Sequence, residues 1–235
     1  DGAIAFSCDP ELPALDWLQR RDLPLVYVDM AAPPGEVAIT IDDRGGARAA
    51  AQHIVDLGHR RVALLTSGYG TEPGITTGPL TASAARHRVI TERLAGWLDP
   101  LTAAGIVPLV VNQPDDLSSA PLAAARMLDL PDRPTAVLCL TDVLAQSVLA
   151  AASDAGLAVP GDLAIVGFDD HPLTLRTRPT LTTVRQDVDA KGRAAARALL
   201  RLVAGRADSS VSCPRSRRLP VQLEVRGSTL GDGVG

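Results

Sequence analysis

Hydrophobic positions along this chain fall into short runs rich in β-branched residues, separated by longer alanine-rich amphipathic stretches. The runs 2–7 (GAIAFS), 24–29 (PLVYVD), 37–41 (VAITI), 61–66 (RVALLT), 106–111 (IVPLVV), 135–140 (TAVLCL), 163–168 (LAIVGF) and 221–225 (VQLEV) predict strands. Between most of them lie helical patterns. Three of these open on Asp and stop on Gly, at 42–58, 142–156 and 187–205. Alternation of this kind predicts βαβ units and mostly parallel sheets. Parallel strands are covered on both faces, which accounts for the unbroken apolar runs.

Polar residues at the ends of these runs change the picture. In open parallel sheets, ligands sit outside the carboxyl ends of the strands. One run ends on Asp29, one on Thr141 and Asp142, and AIVGFDD, which reads as a dry central strand, ends on Asp169 and Asp170. Asp142, directly before VLAQSVLAAA, reads first as a helix N-cap. Asp29 precedes the loop MAAPPGE, so capping does not account for it. Asp169 and Asp170 have no basic neighbour in sequence and need a partner, either backbone N–H groups or a ligand.

Composition sets the bounds. The 235 residues are 46% hydrophobic and 21% charged, enough for a core in one large domain or two modest lobes. No apolar run approaches the roughly 18 residues that span a bilayer. The net charge of −4 argues against a nucleic-acid-binding module. The locally basic segment 176–226 has spread arginines without interleaved aromatics and reads as solvated helix faces. Lys191 is the one lysine among 23 basic residues, a pattern that reads as composition bias. Cys8, Cys139 and Cys213 are odd in number, far apart and lack a C-x-x-C. They point to a reduced, cytoplasmic chain without structural zinc, with Cys139 in the core.

Catalytic signatures are missing. There is no G-x-S-x-G, no H-E-x-x-H and no Walker A sequence. SGYGTEPG has the wrong glycine spacing for a dinucleotide loop and runs on into a long loop. The four histidines lack metal-ligand spacing, and His59, between a helix stop and a strand, reads as a turn residue. A glycosidase pair is weakly supported, because nothing marks either carboxylate as a proton donor.

Five stretches in order resemble one family: DDRGGARAAAQHIVDLGHRRVALLTS (42–67), RLAGW (93–97), RPTAVLCLTDVLA (133–145), GLAVPGDLAIVGFDDHPL followed by RPTLTTVRQDVDAKGRAAARALL (156–200), and LPVQLEVRGST (219–229). Together they resemble the effector-binding domain of the LacI/GalR transcriptional regulators. The resemblance implies a two-lobed periplasmic-binding-protein-like type I fold, α/β, with parallel sheets flanked by helices and a ligand cleft. It places the N-terminal lobe at 1–41 plus 186–219, the C-terminal lobe at 42–185 plus 220–230, and a tail at 231–235. DGAIAFS resembles that lobe's third strand. The expectation is therefore an incomplete first lobe with exposed sheet edge and apolar surface, and a DNA-binding helix-turn-helix absent from this chain.

Carried over by motif, the family's ligand contacts fall on Asp29, Arg93, Thr141, Asp169 and Gln186. Thr141 stands where relatives commonly have Asn. Positions where relatives place aromatics are Ile41, Leu117 and Val188 here. Tyr69 and Trp97 are the remaining stacking candidates, and Trp97 reads as core. The resemblance implies a small polar effector (a sugar or related polyol), a homodimer, operator DNA as partner, no membrane, and neither catalytic residue, metal nor cofactor. A sugar-binding receptor of a transporter is the alternative on the same fold. Removing Asp169 or Arg93 is expected to abolish effector binding and leave the ligand-free protein as stable as before.

Overall fold

The computed structural model describes residues 1–68, 73–77, 87–114, 116, 118–207, 210, 212 and 214–230. Tyr69, Leu117, Cys213 and the tail 231–235 lie outside the described residues, as does most of the long loop at 67–83. The chain forms two compact units. One holds Asp1–Asp42, His87–Val89 and Asp187–Val221, and the other holds Asp43–Arg86, Ile90–Gln186 and Gln222–Gly235.

The first unit is a four-stranded parallel sheet in the order β1 (Ala3–Phe6), β2 (Leu25–Val28), β3 (Val37–Ile41), β10 (Arg217–Leu219). Successive side chains of a strand face opposite ways, and β2 uses both faces. Val26 and Val28 join Val37 and Ile39 against Ala195 and Ala198 of α6 (Val188–Ala207). Leu25 and Tyr27 turn to the other face, with Ala5 and Leu15 of α1 (Pro13–Arg20). Every β2 side chain is buried, which is why its sequence does not alternate. Among the described residues β1 pairs with β2 alone, and its Ile4 and Phe6 are exposed. This agrees with the exposed edge and apolar surface that the resemblance implies.

The second unit is a five-stranded sheet in the order β5 (Gly74–Thr77), β6 (Leu109–Gln113), β4 (Val62–Ser67), β7 (Ala136–Cys139), β8 (Ala164–Val166). All pairings are parallel except β5 with β6. Its helices are α2 (Asp43–Asp56), α3 (Arg88–Ala103), α4 (Ala120–Leu128), α5 (Asp142–Asp154) and the short α7 (Gly227–Leu230). A further pair joins β9 (Thr183–Gln186) to β11 (Val221–Glu224).

Several expectations need correction. β6 starts three residues later than the apolar run, because Pro108 has no N–H to give to a ladder. β5 lies inside the stretch read as loop. AIVGFDD is not a central strand: β8 stops at Val166 and closes one end of the sheet. It is dry for another reason. The Gly167 and Asp169 amides donate to the carbonyls of Thr182 and Val184, and the Ser228 hydroxyl caps the Ile165 carbonyl at 2.6 Å. The segment around β9 and α7 therefore covers the edge that the sheet leaves open.

Candidate functional site

In the second unit the site is assembled around Arg93. One glycine makes the approach possible. A Cβ on Gly96 would lie 2.3 Å from the Arg44 carbonyl oxygen, so only glycine lets α3 settle onto α2. That contact brings Arg93, 4% exposed, to Asp43 in the first turn of α2. Arg93 Nε donates to Asp43 Oδ1 at 3.0 Å, Nη1 to the Leu140 carbonyl at 2.5 Å, and Nη2 to Asp169 Oδ1 at 3.4 Å. The guanidinium lies 3.5 Å from the centre of the Phe168 ring, a cation–π stack.

Asp169 stands just beyond β8 with φ +115°, in the left-handed region that side chains avoid. Its neighbour Asp170 is left-handed as well, at φ +58°. This irregular backbone sends the two carboxylates different ways. Asp170 turns inward: Arg226 Nη2 meets its Oδ1 at 2.8 Å, and the Thr174 hydroxyl donates to the same oxygen at 3.2 Å. Asp169 keeps about a third of its side chain exposed (31%), while Gln186 Nε2 donates to its Oδ1 at 2.7 Å. The partners that the sequence could not supply locally are thus cations and amides from distant segments.

Asp142 braces the turn from beneath. Its Oδ1 accepts the Thr183 hydroxyl at 2.5 Å and its Oδ2 accepts the His171 N–H at 2.7 Å. Gly167 has to be glycine, since a Cβ there would sit 2.2 Å from Asp142 Oδ1. Burial pushes the Asp142 carboxyl up to about 7, with smaller upward contributions from the charges of Asp169 and Asp170, against the two hydrogen bonds that lower it. Asp142 is not the helix cap. Thr141 is the N-cap of α5, its hydroxyl oxygen accepting the Leu144 N–H at 3.3 Å, and Asp142 is the first helical residue. Thr141 Oγ1 keeps its own proton to donate.

In the first unit Asp29 follows β2 with φ +54° and gives its N–H to the Ile39 carbonyl. Its Oδ2 forms an ion pair with Lys191 of α6, and both side chains are buried. Its Oδ1 is buried and accepts no hydrogen bond from any described residue. The Lys191 ammonium lies 5.7 Å from the centre of the Phe6 ring.

The structure thus gathers Arg93, Asp169 and Gln186 into one hydrogen-bonded cluster. Thr141 lies one residue beyond the Leu140 carbonyl that Arg93 holds, and Asp29 belongs to a separate pair in the other unit. Sequence reading missed Asp43, Asp142 and Lys191 as parts of these networks. The one available signal was Lys191, a single lysine in an arginine-rich chain. Arg93 neutralises a fully buried carboxylate, which argues against its being dispensable for stability. Trp97 is 1% exposed and belongs to the core, as does Ile41, whereas Val188 is exposed. His59 joins Thr135 at 3.0 Å in its turn, and burial lowers its pKa. Cys139 is buried, and burial drives its thiol far above the usual range. Among the described residues no group of three His, Cys, Asp or Glu side chains is placed to hold a metal ion, and no helix is long and apolar enough to cross a membrane.

Open α/β units with polar side chains gathered beyond the carboxyl ends of parallel strands make up a ligand-binding domain. Residues 51–229 match the periplasmic binding protein-like domain. A transcriptional regulator of Corynebacterium glutamicum from the LacI family has the same fold. It superposes with a TM-score of 0.85 at 26% identity, over 97% of this chain and 67% of that one. The structure of the transcriptional regulator CelR in complex with cellobiose gives 0.79 at 28% identity, over 97% of this chain and 65% of the other. An HTH-type transcriptional regulator of Mycolicibacterium smegmatis is 38% identical over 206 residues, 83% of this chain and 56% of its own length. The chain belongs to the periplasmic binding protein-like domain family, in the form that LacI-family transcriptional regulators carry. It spans about half the length of the curated relatives it matches.

Proposed function

We propose that this chain is the effector-binding and dimerisation part of a DNA-binding transcriptional repressor, and that its effector is a small polar molecule, a sugar or related polyol. The observation that carries this reading is Asp169, a carboxylate fixed by Arg93 and Gln186 yet open to solvent on one side. An ionised carboxylate only accepts hydrogen bonds, and sugar hydroxyls supply donors. Each such charge-assisted bond contributes roughly 1.5–3 kcal/mol. Thr141 adds a hydroxyl donor. The cellobiose complex of a regulator with 28% identity supports the carbohydrate class.

Binding without turnover fits the same geometry. Asp142, whose pKa is raised, has both oxygens engaged and is 1% exposed, so it is a brace and not a proton donor to a ligand. Operator contact belongs to a helix-turn-helix outside this chain. Effector binding shifts a homodimer between forms of different operator affinity, and the coupling is reciprocal. The buried Cys139 and half-buried Cys8 thiols suit a reducing cytoplasm. A transporter receptor has the same fold, but the regulators among the relatives favour the repressor. The test is an operator-release assay with the full-length protein, DNA from its own upstream region, and a panel of mono- and disaccharides. At least one sugar should shift operator affinity about five-fold or more. Absence of DNA binding with intact sugar binding would move the protein to the receptor class.

A further inference from the structure

In the first unit, α6 and β10 border an open groove of about 650 Å3. Arg193, Arg197 and Arg201 enter it from α6, spaced four residues apart and therefore on one helix face. Arg217 of β10 and Arg215 just before it face them. Ile39, Ala194 and Ala198 line the groove with apolar surface. None of these residues belongs to the carboxylate clusters described above.

Five guanidiniums around one concavity call for counter-charge. Like charges at that helical spacing disfavour an isolated helix, and the chain carries 27 acidic residues that could offset them. Yet among the described residues the only ion pair that any of the five forms is Arg193 with Asp189, at 4.0 Å. Arg197, Arg201, Arg215 and Arg217 form no ion pair with any described residue. A guanidinium is always charged, and its planar fork matches phosphate oxygens two at a time. The volume lies within the roughly 300–1,000 Å3 of small-molecule sites, whereas duplex DNA is tracked by extended basic stripes rather than by a single concavity.

We propose that this groove is a second binding site, for a small organic molecule carrying two or more phosphoryl groups. The arginines hold the phosphoryls, and the apolar lining takes the body of the molecule.

The test is calorimetric titration of the full-length protein with tripolyphosphate and with ATP, at low salt, for the wild type and Arg197→Gln/Arg217→Gln. Saturable binding of one molecule per chain is expected. The double variant should weaken it at least about ten-fold, and Asp169→Ala should leave it unchanged. Arg193→Gln/Arg201→Gln provides the same readout if the first variant does not fold. Absence of saturable binding at millimolar ligand overturns the proposal, as does binding that survives both double variants. Loss of affinity for random duplex DNA in these variants, with tripolyphosphate binding intact, would reassign the arginines to nucleic acid and also overturn it.

Discussion

Replacing Arg93 by methionine keeps much of the side chain's length and removes its charge. Besides the long contact to Asp169, three things are lost at once. Asp43, whose side chain is 0% exposed, loses its cation, the Leu140 carbonyl loses a donor at 2.5 Å, and Phe168 loses its stacked partner. Breaking a buried ion pair from one side costs about 3–5 kcal/mol, because the remaining charge stays buried. For a chain of this size each kcal/mol lowers Tm by about 2–4 °C, so Arg93→Met should melt roughly 6–20 °C below the wild type. Arg93→Met/Asp43→Leu, which removes both charges, should recover much of that loss. Asp169→Asn touches the same guanidinium through the long 3.4 Å contact of a part-exposed pair, and should cost about 0–1 kcal/mol. Thermal unfolding by circular dichroism distinguishes these cases. A Tm within about 2 °C of wild type for Arg93→Met would refute the view that Arg93 holds the second unit together as well as facing a ligand.

Other outcomes follow from the same contacts. Gly167→Ala forces a Cβ to 2.2 Å from Asp142 Oδ1 and should destabilise by about 1–3 kcal/mol, the range for overpacking, measurable in urea. Asp142 has a pKa raised to about 7 in the folded state, so its stabilising effect is fully present below its unfolded pKa near 4 and is lost as pH rises to 7. Asp142→Asn can keep the bonds to Thr183 and His171, and should flatten the fall in Tm over that interval; an unchanged pH slope would contradict the assignment. Lys191→Met leaves Asp29 buried without its cation and should cost about 3–5 kcal/mol in thermal unfolding.

Much of the fold was legible because it rests on local signals. Unbroken apolar runs marked β2, β4, β7 and β8, and Asp–Gly bracketing marked α2 and α5. What stayed hidden depends on tertiary context. The strand β5 is four exposed residues inside a stretch rich in Gly, Thr and Pro, and it forms only because β6 offers an edge. The run AIVGFDD showed apolar content but not position, so an end strand covered by Thr182 and Ser228 read as a central one. The paired carboxylates drew attention to this turn, yet the sequence could not show that Asp170 is claimed by Arg226, 56 positions away, while Asp169 is held by Arg93 and Gln186. Arg93 was proposed as a ligand contact through its motif. Its structural duty was not, because Asp43 read as a helix start, and a buried partner leaves no trace in periodicity.

The central claim is that Asp169 is the open acceptor of a site for a small polar effector. Isothermal titration of the full-length wild type and Asp169→Ala against a panel of mono- and disaccharides, cellobiose included, tests it most directly. The account predicts that at least one sugar binds the wild type, and that Asp169→Ala weakens it by about ten- to a hundred-fold, corresponding to one charge-assisted hydrogen bond, with Tm of the ligand-free protein nearly unchanged. A sugar that binds wild type and Asp169→Ala with equal affinity would contradict it.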